Sequence, residues 1–373
     1  MIDVDVFINY LKKIDIDFFC GVPDSQLAPF CDYVQENEEN IIAANEGNAL
    51  AIASGYHLAT NKFPLVYLQN SGLGNIVNPI TSLTHKKVYS IPVVYVIGWR
   101  GQPGVHDEPQ HIKQGEITLD LLDMLEISYM IINEDSKFDS LKNTFEGEFL
   151  DKLKNGESVA IVVSKGSFNE YKISKLNDNT LSRENAIQIV SSFLTEDDMI
   201  VSTTGKSSRE LFEFREENSQ GHGNDFLTVG SMGHSSSIAL GIALNTPDKK
   251  IFCFDGDGAV LMHMGALALV GSKAPKNFYH VMFNNSAHES VGGLPTIMGE
   301  IDIENIVLAC GYKDVFYASD SDELKDVLPK FTQSEGPVFL NIAVDISSRN
   351  DLGRPTTTPI ENKNEFMKKL QGE

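Results

Sequence analysis

Short apolar segments recur along the chain and are separated by longer amphipathic ones. The apolar runs are continuous rather than alternating with polar residues, which is typical of strands buried on both faces of a parallel sheet. The stretches between them are long enough for helices, for example residues 4–12 and 183–193. The pattern predicts an α/β protein, with strands at residues 16–20, 41–44, 65–68, 91–97, 159–163, 199–202, 226–229, 251–254, 278–283 and 338–342.

The two halves of the chain begin alike. Each starts with a predicted helix, followed by a strand and then a turn of small residues, at residues 21–23 and 204–206. A polar stretch at residues 171–180 separates the halves, and Ser182 after it is a suitable N-cap for the next helix. The sequence therefore predicts two domains of one topology, residues 1–175 and 180–373, each a mostly parallel sheet flanked by helices.

Composition excludes several classes of partner. The 373 residues include 30 Lys and Arg against 52 Asp and Glu, which gives a formal charge of −22. Such a surface repels nucleic acids and anionic lipids. The four cysteines have neither zinc-site nor disulfide spacing, and no run approaches the roughly 18 apolar residues of a membrane span. We expect a cytoplasmic protein that binds neither nucleic acid nor membrane.

Polar side chains follow two successive predicted strands in the second half. Asp255-Gly256-Asp257-Gly258 comes directly after one strand, and Asn284-Asn285 ends the next. Carboxylate and amide oxygens are hard ligands suited to Mg²⁺, and the glycines would let the backbone approach a diphosphate closely. Taken singly, each segment is more typical of an ordinary turn. Together, at this spacing, they resemble the thiamin-diphosphate motif, Gly-Asp-Gly followed later by Asn-Asn, and that resemblance implies a site for Mg²⁺ and a diphosphate.

Three further segments are ambiguous when each is considered alone. Glu46 opens a predicted helix, where the helix dipole by itself favours a carboxylate. Met232 stands in Gly-Ser-Met-Gly at residues 230–233, and an isolated Met is more often a core residue. Residues 202–208 end like a P-loop, but Ile200 occupies the place of the first glycine of that motif, so a P-loop is excluded. Small residues there can still donate N–H groups to a diphosphate.

Two loops of the first half contain groups suited to proton transfer and anion binding. One follows the first strand at residues 21–25, and the other covers residues 100–111. Histidines and carboxylates with tunable pKa values can move protons, although a single loop histidine is more often a surface residue. The candidates for proton transfer are Asp24, His106 and His111. Arg100 and Lys206 are candidate partners for an anionic substrate, because Arg presents a bidentate fork.

Together these segments resemble the phosphonopyruvate decarboxylases, within the thiamin-diphosphate-dependent 2-oxo acid decarboxylases. The resemblance covers nearly the whole chain, including the runs at residues 21–25, 107–111, 288–293 and 354–357. It implies a pyrimidine-binding domain at 1–175 and a diphosphate-binding domain at 180–373, with thiamin diphosphate and Mg²⁺ as cofactors. The implied reaction converts 3-phosphonopyruvate, a small anionic 2-oxo acid, into phosphonoacetaldehyde and CO₂ in phosphonate biosynthesis.

The resemblance also implies roles for individual residues. Glu46 would bind N1′ of the cofactor's aminopyrimidine, Met232 would hold the two rings in a V shape, and the Gly230 carbonyl would accept from the 4′-amino group. Cofactor binding would also involve Gly205, Gly256, Asp257, Gly258 and Asn285. Mg²⁺ would be held by Asp257, Asn285 and the Ala287 carbonyl. Substrate binding would involve Ser25, Arg100 and Lys206. The family builds its active site between chains, so a homo-oligomer is expected.

One departure and several alternatives remain at this stage. Pyruvate decarboxylases have a Glu where this chain has Val291, so their proton-transfer groups do not carry over. A sulfopyruvate decarboxylase would need the same cationic fork, and a non-catalytic thiamin-fold binding protein would share the same domains. A nicotinamide dehydrogenase is disfavoured, because no Gly-x-Gly-x-x-Gly follows the first strand.

Overall fold

The computed structural model describes residues 1–175 and 177–372. The chain forms two compact units, Met1–Ser174 and Lys175–Glu373. The boundary predicted at residues 171–180 includes residue 176, which lies outside the described residues.

The first unit contains a six-stranded parallel sheet in the order β2-β1-β3-β4-β6-β5. Its strands are β1 Phe19–Gly21, β2 Asn40–Ile42, β3 Leu65–Gln69, β4 Val94–Gly98, β5 Ser128–Ile132 and β6 Val159–Val163. Its helices are α1 Val4–Lys13, α2 Ala28–Asn37, α3 Glu46–Thr60, α4 Leu73–Pro79, α5 Pro109–Met124, α6 Phe138–Thr144 and α7 Leu150–Lys154. Strands β4 and β6 are buried along their whole length, as expected for a sheet covered on both faces.

The second unit contains another six-stranded parallel sheet, in the order β13-β14-β10-β9-β7-β8. The strands of this sheet are β7 Met199–Ser202, β8 Asp225–Leu227, β9 Ile251–Gly256, β10 Phe278–Asn284, β13 Asp314–Ala318 and β14 Val338–Ala343. Two further strands, β11 Ala287–His288 and β12 Leu294–Pro295, form a separate antiparallel ribbon. Its helices are α8 Arg183–Ser192, α9 Lys206–Glu217, α10 Ser235–Asn245, α11 Asp257–Met262, α12 Gly265–Lys273, α13 Ile303–Cys310, α14 Ser321–Gln333 and α15 Pro359–Gln371.

The two sheets have one topology. Numbered within its own unit, the second sheet reads 2-1-3-4-6-5 from one edge, which is also the order of the first. The order in which strands are added to the sheet therefore reverses between the first and third strands of each unit. Ligands of open α/β sheets bind at the carboxyl ends of the strands beside such a reversal. The strands beside the reversal are β1 and β3 in one unit and β7 and β9 in the other.

All ten predicted strands lie in the two sheets, with shifts of a few residues at their ends. The run at 91–97 becomes Val94–Gly98, and the run at 41–44 becomes Asn40–Ile42. Two strands at sheet edges, β5 and β13, were not predicted. Both are mostly half-buried or exposed, and their apolar runs, at residues 129–132 and 315–318, are only four residues long, too short to separate a strand from part of a helix. Within the described ranges, no helix combines the length and apolarity required to cross a membrane.

Candidate active site

Glu46 is a buried carboxylate at the first position of α3. The Asn45 side chain caps this helix, since its Oδ1 accepts from the backbone amide of Asn48 at 2.9 Å. Only 5% of Glu46 is exposed, and its Oε2 accepts a hydrogen bond of 2.7 Å from Asn75 Nδ2. The helix N-terminus favours the negative charge at this position. Glu46 is thus held in place by a helix dipole and an amide donor.

Gly72 makes room for this carboxyl group. It precedes α4, and a Cβ atom there would lie only 2.6 Å from Cδ of Glu46. By contrast, a Cβ on Gly74 would meet nothing within 4 Å. Sequence reasoning missed Gly72 and Asn75, although both lie in the Asn-Ser-Gly-Leu-Gly-Asn run that follows β3.

Asp24 is fully buried directly after β1. Its Oδ1 accepts from Gln69 Nε2 at 2.6 Å, and its Oδ2 accepts from the backbone amide of Gln26 at 3.1 Å. Burial raises the pKa of Asp24, while Gln69 and the charge of Arg100 act in the opposite direction. Gly98 at the end of β4 packs against this carboxyl group, because a Cβ there would lie 3.0 Å from Cγ of Asp24 and closer still to Oδ2.

Arg100 connects the loops that follow β1 and β4. Its guanidinium pairs with Asp107 through Nε and NH2, at 2.8 and 2.5 Å, and its NH1 donates to Ser25 Oγ at 2.9 Å. Partial burial alone would raise the pKa of Asp107, but the bonds from Arg100 and two backbone amides lower it. The pKa of His111 is lowered, chiefly by burial and then by the charge of Arg100.

The predicted groups of the first unit therefore meet at one edge of its sheet. Asp24, Ser25, Arg100 and His111 lie close together, and His106 is an exposed residue of the same loop. Sequence reasoning missed Gln69 and Asp107. The parallel register explains the meeting, since Gly21 pairs with Tyr67 and Gln69 pairs with Gly98, so that the loops leave neighbouring strand ends.

Asp257 is a buried carboxylate of the second unit, and it begins α11 directly after β9. Its Oδ2 accepts from Thr296 Oγ1 at 2.5 Å, and it is 3% exposed. Burial raises the pKa of Asp257 to about 6, against the lowering effect of Thr296 and of the backbone amides of Gly258 and Asn285. A divalent cation would stabilise the charged form of such a desolvated carboxylate.

Asn285 lies beside Asp257 because β9 and β10 pair in parallel, with Gly256 opposite Phe283. Its side chain is oriented at both ends. Oδ1 accepts from the backbone amide of Ala287 at 3.0 Å, and Nδ2 donates to Glu289 Oε2 at 3.3 Å. Ala287 is buried in β11. The chemistry of these donors, a carboxylate with an amide and a backbone carbonyl beside it, fits Mg²⁺.

Small residues surround this pair of oxygen donors. A Cβ on Gly256 would meet nothing within 4 Å, and Gly205 has a φ of 95°, a conformation that favours glycine. A Cβ on Gly258 would lie 3.3 Å from Cε of Met232 and 3.0 Å from Nδ1 of His288. Met232, which follows the half-buried Gly230, is thereby placed next to the Asp257 turn. These features fit a diphosphate group approached closely by backbone.

Lys206 already has a carboxylate partner. Its Nζ donates to Glu289 Oε1 at 2.9 Å and to Ser348 Oγ at 2.6 Å. Glu289 is also bound by Arg183, whose Nε and NH2 pair with Glu210 at 2.8 and 2.7 Å. Burial would raise the pKa of Glu289, but Arg183 and Lys206 lower it. Glu289 and Thr296 were not predicted, although Glu289 belongs to the run at 288–293 that carries part of the family resemblance.

Comparison with known families identifies both units. The model of the thiamine pyrophosphate enzyme N-terminal TPP binding domain matches residues 4–124, and that of the C-terminal TPP binding domain matches residues 203–342. The predicted fold class, with two thiamin-diphosphate-binding domains, is confirmed. The predicted cofactors, thiamin diphosphate and Mg²⁺, are those that this family implies.

Three curated relatives show how far the similarity extends. Phosphonopyruvate decarboxylase of Streptomyces viridochromogenes is 34% identical over 372 residues, covering 94% of this chain and 90% of the relative. Sulfopyruvate decarboxylase of Methanosarcina acetivorans is 27% identical over 92% of this chain and 91% of its own. The sulfopyruvate decarboxylase subunit beta of Methanococcus maripaludis is 32% identical over 51% of this chain and 98% of its own. The predicted resemblance to phosphonopyruvate decarboxylases is confirmed.

Replacing Asp257 by Ala is expected to weaken Mg²⁺-dependent binding of thiamin diphosphate by at least about 10-fold, because a charged metal ligand is lost. Calorimetric titration of thiamin diphosphate into the protein with Mg²⁺ measures the change. Asp326→Ala is the matched control, since Asp326 is an exposed residue of α14. Equal cofactor affinity in Asp257→Ala and Asp326→Ala would rule out the metal role of Asp257.

Proposed function

We propose a function on the premise that this chain belongs to the thiamine pyrophosphate enzymes, among the relatives of the phosphonopyruvate decarboxylases. It is a thiamin-diphosphate-dependent 2-oxo acid decarboxylase. Its substrate, in this proposal, is 3-phosphonopyruvate, which it converts into phosphonoacetaldehyde and CO₂ in phosphonate biosynthesis. The choice of substrate rests on the 34% identity to a phosphonopyruvate decarboxylase along nearly the whole chain.

Glu46 has the surroundings required of the carboxylate that activates the cofactor. Bound thiamin diphosphate supplies the electron sink for the carbon–carbon bond that breaks when CO₂ leaves. In this proposal Glu46 holds N1′ of the aminopyrimidine by a hydrogen bond. Its burial and the bond from Asn75 support that role, because both fix the position of the carboxyl group before the cofactor binds.

Asp24 and His111 are the proposed groups that move protons. The proton that replaces CO₂ must come from an acid that is still protonated near neutral pH. The raised pKa of Asp24 favours its protonated form, and the lowered pKa of His111 favours its neutral form, which can accept a proton. We assign Asp24 as the proton donor and His111 as the group that returns the proton to it, with His106 nearer to solvent.

We also propose that the protein is a homo-oligomer and is located in the cytoplasm. Two Methanococcus maripaludis relatives are named as the beta and alpha subunits of a sulfopyruvate decarboxylase, and they match 51% and 31% of this chain. This supports a homo-oligomer in which active sites form between copies, as the family resemblance implies. None of the four cysteines forms a disulfide in the described residues, and three of them are buried, which supports a location in the reducing cytoplasm.

Sulfopyruvate decarboxylation is the second candidate function, because a single-chain sulfopyruvate decarboxylase is 27% identical over nearly the same length. The second anionic group of the substrate is a sulfonate in one case and a phosphonate in the other. Both present three oxygens, so both can bind cationic and hydroxyl donors. A non-catalytic role is disfavoured by the presence of Glu46, Asp257 and Asn285 together, each in a buried and hydrogen-bonded setting.

The substrate is tested by supplying the holoenzyme in parallel with 3-phosphonopyruvate, sulfopyruvate and pyruvate and measuring CO₂ release. We expect kcat/KM to be at least about 10-fold higher for phosphonopyruvate than for either of the others. Binding of its doubly charged phosphonate adds energy that pyruvate, which has no second anionic group, and sulfopyruvate, whose sulfonate has a single charge, do not supply. A preference for sulfopyruvate would replace the proposed substrate by the second candidate. Absence of CO₂ release from all three, in protein that binds the cofactor, would favour the non-catalytic alternative.

Replacing Glu46 by Gln is expected to lower decarboxylation by about 100-fold or more, because the amide cannot take part in the same proton transfer with N1′. Binding of thiamin diphosphate should change little, since the side chain keeps its shape. CO₂ release and calorimetric cofactor titration measure the two quantities separately. Turnover close to that of the wild type would contradict the role of Glu46.

Gly72→Ala tests the position of Glu46 without changing its chemistry. The added Cβ overlaps the Glu46 carboxyl group, whose side chain can move aside, so we expect activity to fall by about 10- to 100-fold while the fold is retained. The control is Gly74→Ala in the same segment, where the Cβ has open space. Activity and thermal unfolding of both variants are compared. Equal activity in the two would show that the placement of Glu46 is unimportant.

A further inference from the structure

The first unit contains a cavity of about 350 Å³ beside its candidate residues. Ser25, Arg100, His106 and Asp107 line it from the loops after β1 and β4, and residues 165–168 line it from the segment after β6. The volume is suitable for a small molecule rather than a large cofactor. A 2-oxo acid with a second anionic group fits this size.

The charge of Arg100 in this cavity is already balanced. Two of its nitrogens form the bidentate pair with Asp107, and a third donates to Ser25. The two side chains together contribute no net charge to the cavity. Arg100 still orders the loop, but another cation is required to balance a dianionic group.

Lys165 supplies that cation. It lines the cavity, is itself exposed, and in the described part of the chain its ammonium group forms no ion pair. The turn that carries it is well fixed. The Ser167 hydroxyl is buried and donates to the carbonyls of Ser164 and Ile132 at 2.6 and 2.9 Å, and Gly166 adopts a φ of 75°.

We propose that Lys165 is the specificity-determining cation of the substrate site, and that its ammonium group binds the phosphonate end of the 2-oxo acid within this cavity. The inference rests on the proposed function for the identity of the substrate. Arg100 then acts as a positioning residue, which holds Ser25 and the 100–111 loop at the opposite side of the cavity. The hydroxyl of Ser25 and the ammonium of Lys165 offer donors to the phosphonate oxygens from two sides.

The test measures binding of phosphonoacetate, a stable molecule that also joins a carboxylate to a phosphonate. It is titrated calorimetrically into the holoprotein, with thiamin diphosphate and matched Mg²⁺ in cell and syringe. Lys165→Met should weaken binding by on the order of 10-fold or more, because a charge-assisted bond to the anion is lost. Lys165→Arg should restore most of the affinity. Lys154→Met removes the same charge from an exposed residue of α7 outside the cavity and should leave binding unchanged.

Steady-state kinetics provide a second test, because a merely structural role of Lys165 would not change KM for one substrate more than for another. Lys165→Met should raise KM for phosphonopyruvate by on the order of 10-fold, with a smaller effect on KM for pyruvate, which has no phosphonate. Phosphonoacetate affinity in Lys165→Met equal to that of the wild type would overturn the inference, and so would absence of binding by the wild type. If the wild type binds phosphonoacetate through Lys165 but releases no CO₂, the anion-binding role of Lys165 stands and the proposed function fails.

Discussion

Burial of carboxylates at the carboxyl ends of parallel strands is the constraint on which both candidate sites depend. A charged group that leaves water must be compensated by hydrogen bonds, and it shifts its pKa where compensation is incomplete. Asp24 and Asp257 both show raised pKa values for this reason. Glu46 is compensated by Asn75 and by the start of α3. The side chains around these three groups are therefore determined largely by the need to stabilise them.

The shared topology explains why the groups arise at corresponding places. In each unit the candidate residues follow the first four strands, which lie on both sides of the reversal in strand order between the first and third strands. The chemistry then differs with the residues supplied. The first unit offers Asp24, Arg100 and His111, which suit proton transfer and anion binding, whereas the second offers oxygen ligands and glycine turns, which suit a metal diphosphate. One fold thus presents two kinds of site through loop sequence alone.

The inner strands could be predicted from sequence because burial on both faces demands a continuous apolar run, as in Val159–Val163. Of the edge strands, β2 and β8 were predicted, whereas β5 and β13 were missed. Both missed strands are mostly half-buried or exposed, and an apolar run of four residues does not by itself distinguish a strand from part of a helix. Motif residues such as Asp257 and Asn285 were also predictable, because each directly follows a strand. Their partners were not. Thr296 is 39 residues from Asp257, and Asn75 is 29 residues from Glu46, so only the folded chain brings them together.

Charge pairing is a property that could not be predicted from the sequence alone. In a chain of net charge −22, Arg100 and Lys206 stand out as cations beside candidate strand ends, and both look available for a substrate. The fold pairs them with Asp107 and Glu289. An excess of acidic residues makes such pairing common, so a cation near a site indicates anion binding only when its local partners are known. Lys165 meets that condition because its turn presents it to the cavity and, among the described residues, no carboxylate forms an ion pair with it.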